Sequence, residues 1–329
     1  MTIKTTTEPM EALLVPVLPE GKDWVYEPKW DGFRCLAYRR GEKIILQSKS
    51  GKPLHRYFPE VVSMLKKLKA KSFVLDGELL VTWDKSYSFG DLQMRLHPAA
   101  SRIKKLSASQ PATFVLFDIL EDEKAEKIMS QPFDERRTCL EDFYKKFCAK
   151  EKRLLLSQQV STVSKTKAWL TKGEWRVDGI VAKNKLDLYT PGKRVMQKFK
   201  VIRTADCVVG GFRYGTGSKE VGSLLLGLYD SEGLLNHVGF TSSIAKKDKK
   251  ALTKKLEKII ATPGFTGKSP GMPSRWSTER SAEWQPLKND IVVEVAFDQV
   301  TDDRFRHGTK IVRFRPDKAP RQCRMDQLK

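Results

Sequence analysis

Glu27-Pro28-Lys29-Trp30-Asp31-Gly32-Phe33-Arg34 sets a lysine between a β-prone run (Trp24, Val25, Tyr26) and an Asp-Gly turn, with a second apolar run, Cys35 to Tyr38, beyond. The pattern predicts strand, sharp turn, strand: a hairpin with Lys29 at the mouth of a sheet. Two meanings fit it. Lys29 and Asp31 are the solvated charges of a hairpin, or Lys29 is a nucleophile. Only roughly one free lysine amine in a thousand is neutral near pH 7.5, so the second meaning requires cationic neighbours, a bound metal or an apolar wall. The motif alone does not choose between them.

Size and charge narrow the field. The chain has 329 residues, long for one core and comfortable for two domains. Apolar residues make up 40%, with seven Trp and sixteen Phe, which predicts packed cores and not disorder. Lys and Arg number 61 against 40 Asp and Glu, a net charge of +21. Such a field favours a polyanion, nucleic acid first. An anionic membrane surface is the rival, yet no amphipathic helix with an aromatic apolar face and no lipidation signal is visible. The five cysteines (Cys35, Cys139, Cys148, Cys207, Cys323) form no C-x-x-C pair, so reduced buried thiols are expected in place of zinc knuckles or disulfides. Without a secretory pattern or an apolar run of eighteen residues, a soluble cytoplasmic protein is expected.

Along the chain, Lys43 to Gln47 reads as a strand and Ser48 to Lys52 as a turn with two cations, Lys49 and Lys52. A helix follows Pro59, with Val61, Leu65 and Leu68 on one face. Phe73 to Thr82 is an apolar strand interrupted by Asp76-Gly77-Glu78, two carboxylates that are costly to bury unless they meet a donor, a metal or a ligand. Ser88 to Leu96 reads as a helix, Phe114 to Leu120 as a strand, 121–153 as a helix with Phe143 and Phe147 inward, and Lys165 to Lys172 as a helix anchored by Trp169. Trp175 to Lys183 holds another strand with a carboxylate, Asp178, beside a glycine. Alternation puts Lys198 and Lys200 on one face of the next. Beyond Val201 the texture changes to short strands between glycine turns: Cys207 to Phe212, Leu224 to Tyr229, Asn236 to Phe240, Ile291 to Phe297 and Ile311 to Phe314. A lysine-rich helix, Lys246 to Ile260, falls between the third and fourth, which suits an OB-type Greek-key barrel. That helix is a merely solvated face or a DNA contact through residues such as Lys246 and Lys250.

The order of these pieces is informative. Lys29 with Asp31-Gly32 and Arg34, Ser48 to Gly51, Asp76-Gly77-Glu78, Phe117-Asp118, Asp178-Gly179 to Lys183, Lys198 with Lys200, and Arg313-Phe314-Arg315-Pro316-Asp317-Lys318 together resemble the ordered motifs of the covalent nucleotidyltransferases, the polynucleotide ligases and capping enzymes. Arg95-Leu96-His97-Pro98-Ala99-Ala100 and His307-Gly308 onward look most like the bacterial ATP-dependent DNA ligases, the stand-alone C type and the ligase module of the end-joining D type. The resemblance runs from about residue 24 to residue 318.

It implies an α+β adenylation (nucleotidyltransferase) domain of antiparallel sheets flanked by helices over residues 1–201, and an OB-fold barrel over 202–329. It implies ATP, Mg2+ (or Mn2+) and nicked duplex DNA, with possible repair or end-joining partners, a monomeric chain and no membrane. Lys29 would carry AMP on its amine, Glu78 hold the ribose, Phe117 stack on adenine and Glu27 position the adenine end. Asp178 and Asp31 would serve the metal, and Lys183, Lys198 and Lys200 the α-phosphate. Arg34 and Lys49 would meet the AMP phosphate or the nick's 5′-phosphate. Arg315, Asp317 and Lys318 would close over pyrophosphate, and Lys49, Lys52, Lys246 and Lys250 would contact DNA.

The chain departs from the family pattern at three points: Asp178 replaces the usual glutamate, Lys49-Ser50 replaces arginine and asparagine, and Met196-Gln197 stand where a tryptophan is common. An NAD-dependent ligase is disfavoured, since its nicotinamide domain and cysteine zinc motif are not seen. The competitors are an RNA ligase, a GTP-dependent capping guanylyltransferase, and a non-catalytic DNA-binding protein on the same scaffold. The four histidines are dispersed and expected to be structural, and Gly210-Gly211 and Gly215-Thr216-Gly217 lack phosphate-loop spacing.

Overall fold

The computed structural model describes residues 7–83, 86–87, 89–171, 177–271 and 283–328. Ser88, Lys172 and Trp175, named in the sequence expectations, lie outside them. The chain divides into two compact units, Met1–Lys200 and Val201–Lys329.

The first unit holds strands β1 (Glu11–Leu14), β2 (Trp24–Pro28), β3 (Phe33–Arg40), β4 (Lys43–Ser48), β5 (Ser72–Trp83), β6 (Ser86–Tyr87), β7 (Ala112–Glu121), β8 (Leu154–Leu156), β9 (Gly179–Asn184) and β10 (Arg194–Lys200). Its helices are α1 (Pro59–Lys67), α2 (Phe89–Met94), α3 (Ala100–Ser109), α4 (Phe133–Phe143) and α5 (Val163–Thr171). Among the described residues, one sheet runs β1-β10-β9-β2 and a second β4-β3-β5-β7-β8, with β6 on β5. Pairing is antiparallel except at β1–β10 and β7–β8.

The expected hairpin around Lys29 does not form. β2 pairs with β9 in the first sheet, and β3 lies between β4 and β5 in the second. Each strand has already spent its edges. Tyr26 exchanges backbone hydrogen bonds with Val160 on the side of β2 away from β9, and both flanks of β3 are occupied. The turn therefore carries the chain from one sheet to the other. Gly32 permits this because a Cβ there would come within 2.1 Å of the Leu79 carbonyl. The helix expected over 121–153 is also shorter, starting only at Phe133 after Pro132. Upstream, the Asp122 carboxylate accepts the backbone N–H of Lys124 and of Glu126 and folds that segment into a turn.

Period-two alternation sorts the first sheet. One face carries Tyr26, Ile180, Ala182 and Phe199 into a small core with Leu18, Trp24 and Trp169. The opposite face carries Glu27, Val181, Lys183, Met196 and Lys198 toward a cleft. In the second sheet, Cys35, Ala37, Phe73, Leu75 and Leu79 face the main core beneath α1, where Val61, Met64 and Leu65 are buried. Leu36, Tyr38, Val74 and Leu120 face the other way and pack with Met10, Tyr189 and Met196. The cleft opens at the end of that shared layer.

The second unit comprises β11 (Arg203–Tyr214), β12 (Val221–Tyr229), β13 (Leu235–Thr241), α6 (Lys249–Glu257), β14 (Gln285–Pro286), β15 (Val292–Phe297), β16 (Val300–Thr301), β17 (Arg304–Phe305) and β18 (Lys310–Phe314). Its sheet runs β13-β12-β11-β15-β18. The ends are joined by a parallel bridge at Thr241 and Thr309, where Thr241 Oγ1 donates to the Thr309 carbonyl at 2.8 Å. Closure removes the free edges and gives the expected barrel around Val208, Leu226, Val238 and Val293. Three histidines hold structural hydrogen bonds: His97 with the Ala99 N–H, His237 with Arg304, His307 with Asp298. The cysteines are free thiols, and no helix among the described residues is long and apolar enough to cross a membrane.

Gly179 is where this architecture is least tolerant. Its φ is +153° and a Cβ would sit 2.0 Å from the Phe199 carbonyl oxygen. Replacement by alanine is expected to destabilise the protein by about 2 kcal/mol or more, read as a lower denaturation midpoint in urea.

Candidate active site

Lys29 is positioned by backbone before its side chain matters. Its N–H donates to the Gly179 carbonyl at 2.9 Å, and the Asp178 N–H donates to the Lys29 carbonyl at 3.0 Å. These two bonds extend the β2–β9 ladder by one residue and bring the Lys29 amine into an ion pair with the buried Asp178 carboxylate. Lys200, paired with Gly179 across β9–β10, lies 3.6 Å from the same carboxylate. Lys198 stands two residues up the strand. Burial, then the charges of Lys29, Lys200 and Lys49, lower its pKa below the usual lysine value. Lys49, from the turn after β4, lines the cleft while held by Glu11 at 2.9 Å. One carboxylate thus sits among several amines, leaving a positive surplus suited to phosphate.

The other end of the cleft is closed and balanced. Glu27 is 2% exposed, and both its oxygens lie 3.0 Å from the Lys183 amine. Lys183 also donates to the Phe117 carbonyl at 3.0 Å, and burial lowers its pKa. Its charge is paired with Glu27. The Phe117 ring lines the cleft with the Arg34 guanidinium 4.5 Å and the Lys183 amine 4.9 Å from its centroid. Arg34 grips Asp76 through two bonds of 2.5 and 2.6 Å. Burial works against its charge, but Asp76 more than restores it, so its pKa is raised. Glu78 accepts the Gly32 N–H at 3.0 Å, and burial pushes its pKa to about 7, the nearby Asp31 adding to the rise and Arg34 and Lys29 opposing it. These groups and Met10, Val181 and Met196 enclose about 220 Å³.

The remaining predicted residues lie elsewhere. Arg315 and Lys318 belong to the second unit, where both bond to Asp206, Arg315 Nη1 at 3.0 Å and Lys318 at 2.6 Å. Arg315 also holds Asp317 at 2.8 Å, which raises the arginine's pKa and lowers the carboxyl to about 2. Lys52, Lys246 and Lys250 are exposed and are not among the residues lining this cleft.

Several participants escaped the sequence reading. Asp76 is the hub for Arg34 and also accepts the Tyr189 hydroxyl at 2.7 Å, while Tyr189 in turn accepts the Met10 N–H. The acidic interruption of β5 signalled a paired carboxylate there. Nothing local marked Tyr189, Met10, Asp206 or Arg137 as its equals. Asp118, which follows the ring of Phe117, is taken up structurally by two bonds from Arg136.

No group of three or more His, Cys, Asp or Glu side chains that could hold a metal ion occurs among the described residues. A single buried carboxylate beside a phosphate-compatible cleft fits magnesium, which keeps waters and shares its shell with substrate phosphates. The buried Asp178 carboxylate, beside Lys29 and Lys200, is a hard oxygen donor of the kind that chemistry uses.

A lysine on a sheet, set against a carboxylate in a cleft whose far end carries an aromatic ring, on a unit followed by an OB barrel, is the arrangement of a nucleotidyltransferase. The family model of the ATP dependent DNA ligase domain matches residues 4–200, and that of the ATP dependent DNA ligase C terminal region matches residues 217–318. The chain belongs to the ATP-dependent DNA ligases, which seal 5′-phosphate, 3′-hydroxyl nicks in duplex DNA. It is 39% identical to DNA ligase C1 of Mycolicibacterium smegmatis, over 99% of this chain and 94% of that protein. It is 35% identical to DNA ligase C of Mycobacterium tuberculosis, over 97% and 93%. The crystal structure of the ligase domain of LigD from M. tuberculosis shares the fold, with a TM-score of 0.53 at 24% identity over 98% of this chain and 99% of that one.

The raised pKa of Glu78 predicts a pH effect on the nucleotide-free protein. The folded state keeps a proton that the unfolded state releases near 4.5, so the contribution is full below pH 4.5 and is lost as pH rises through about 7. Relative to Glu78→Gln, the native protein is expected to lose up to about 3 kcal/mol across that window, measured by urea denaturation from pH 4.5 to 8.

Proposed function

We propose that Lys29 is the nucleophile of this ligase, and the observation that carries the reading is its register-fixed contact with Asp178 beside Lys198 and Lys200. The ion pair has to open and the amine has to lose its proton. The neutral nitrogen then attacks the α-phosphorus of ATP, an N–P bond forming as the P–O bond to pyrophosphate breaks. Next, the nick's 5′-phosphate oxygen displaces the lysine, and finally the 3′-hydroxyl displaces AMP. Lys198 and Lys200 stabilise charge on the α-phosphate. Asp178 would hold magnesium, with Asp31 in the adjoining turn as the second carboxylate. Bound magnesium would supply positive charge to the phosphate oxygens as they are displaced.

Phe117 stacks on adenine between the cations that flank it, Glu78 accepts from the ribose, and Glu27 accepts from the base. Lys183 serves by holding Glu27. Arg34, fixed by Asp76, and Lys49 meet the AMP phosphate or the 5′-phosphate. Arg315, Asp317 and Lys318 act on the departing pyrophosphate, and Lys52, Lys246 and Lys250 contact the DNA backbone. The protein works in the cytoplasm as a monomer in DNA repair or end joining.

The test is incubation with α-labelled ATP, GTP and NAD, then a chase with nicked duplex. Label from ATP that appears on the native protein, is absent from Lys29→Ala and chases into sealed DNA is the expected result. Label retained by Lys29→Ala overturns the assignment, and label from GTP moves the chain to the capping class. Arg315→Ala is expected to slow self-adenylation by about a hundredfold or more while sealing of a pre-adenylated nick, measured by gel, changes little. With about six phosphates neutralised, DNA affinity is expected to fall on the order of a thousandfold between about 50 and 200 mM salt; a flat response in a binding titration would separate the +21 charge from DNA contact.

A further inference from the structure

We infer that Arg137 is a positioning residue for base selection: from α4 it fixes the Glu27 carboxylate so that one oxygen stays free to accept the amino group of adenine and to repel the carbonyl of guanine. The inference rests on the reading of Glu27 as the adenine contact. Arg137 itself is buried and is not among the residues that line the cleft.

The two oxygens of Glu27 are unequally occupied. Oε1 receives the Lys183 amine at 3.0 Å and the Gln159 amide at 3.3 Å, and faces Arg137 Nη1 at 3.6 Å. Oε2 has the Lys183 amine at 3.0 Å. Oε2 is therefore the oxygen with acceptor capacity to spare. Lysine cannot set this asymmetry, because its ammonium reaches both oxygens and sits on a rotatable stem.

Gln159 hydrogen-bonds Oε1, and the guanidinium adds a fixed positive charge on the same oxygen because it is pinned elsewhere. Nε bonds Glu141 at 2.6 Å and Nη2 bonds the Ser157 carbonyl at 2.9 Å, which fixes the plane and aims the third arm. That arm, Nη1, is buried and makes no hydrogen bond. A buried guanidinium N–H left without a partner is costly, and what it faces is Oε1. A carboxylate so held meets the N6 amino donor of adenine with an acceptor, whereas the O6 of guanine would bring acceptor against acceptor. Sites built for a hydrogen bond discriminate strongly against the ligand that cannot make it.

The experiment measures single-turnover self-adenylation of the full chain against ATP and GTP concentration. Arg137→Met is expected to raise the KM for ATP about tenfold and to narrow the ATP-over-GTP preference about as much, with the maximal rate within about threefold. Arg137→Lys keeps the charge but not the pinned fork and is expected to move both in the same direction as Arg137→Met, and Glu141→Gln, which weakens the pin on Nε, moves both in that direction by less. Gln159→Leu removes a half-buried contact to the same oxygen and moves KM and preference in the same direction. It carries the test together with Arg137→Lys should Arg137→Met not fold. A folded Arg137→Met with KM and preference intact, or with a lower maximal rate and preference intact, overturns the proposal. Glu27→Ala separates the two layers. If it narrows the preference and Arg137→Met does not, only the brace falls; if Glu27→Ala leaves the preference unchanged, the base contact falls and the brace with it.

Discussion

Two backbone hydrogen bonds, between Lys29 and the residue pair Asp178-Gly179, hold the chemistry of this protein in place. Because side chains alternate along a strand, a slip of one residue between β2 and β9 would turn Glu27 away from the face that carries Lys183. Gly179 secures the register by letting the Phe199 carbonyl approach to a distance that a Cβ forbids. The Asp-Gly pair is therefore one device: glycine allows the close approach and aspartate uses it.

Charge balance then divides the cleft. At the Lys29 end one buried carboxylate is shared by Lys29 and Lys200, with Lys198 and Lys49 nearby, so an anionic ligand completes the neutralisation. At the Glu27 end, Lys183 and Arg137 already neutralise the carboxylate, and Asp76 does the same for Arg34. A nucleotide has the same polarity, phosphates at one end and a neutral base at the other. Desolvation makes the arrangement strict, since a buried charge without its partner costs several kcal/mol.

What the sequence revealed and what it concealed follow from range. Lys29, Glu78, Asp178, Lys198 and Lys200 stood out in the sequence because a charge in an apolar, period-two run needs an explanation on the spot, and the ion pairs of Asp178 with Lys29 and Lys200 give part of one. The barrel strands were legible for a similar reason, as β-prone runs between glycine turns. The hairpin expectation failed because local pattern identifies strands but not their partners: Val160 and β9 are more than a hundred residues from β2, and their hydrogen bonds decide its neighbours. The Glu27–Lys183 pair could not be seen because spacing gives a side chain's face and not its partner. Tyr189 and Arg137 carry no anomaly of their own, one a tyrosine in a loop and the other a charge on a helix.

The same sorting explains what the large positive charge does. Among the described residues, three arginines with no exposure do structural work: Arg39 donates to the carbonyls of Leu65, Lys66 and Leu68 at the end of α1, Arg136 chelates Asp118, and Arg95 ties Glu60 to the Tyr57 carbonyl. A planar fork with five donors can satisfy several carbonyls at once, which an ammonium does poorly. Outside the cleft, lysines instead crowd the surface of α6, where Thr253 and Leu256 face the core and Lys250, Lys254 and Lys255 face solvent. Losing a core arginine would orphan several backbone groups, whereas losing a surface lysine leaves the fold alone and weakens only the field that draws DNA to it.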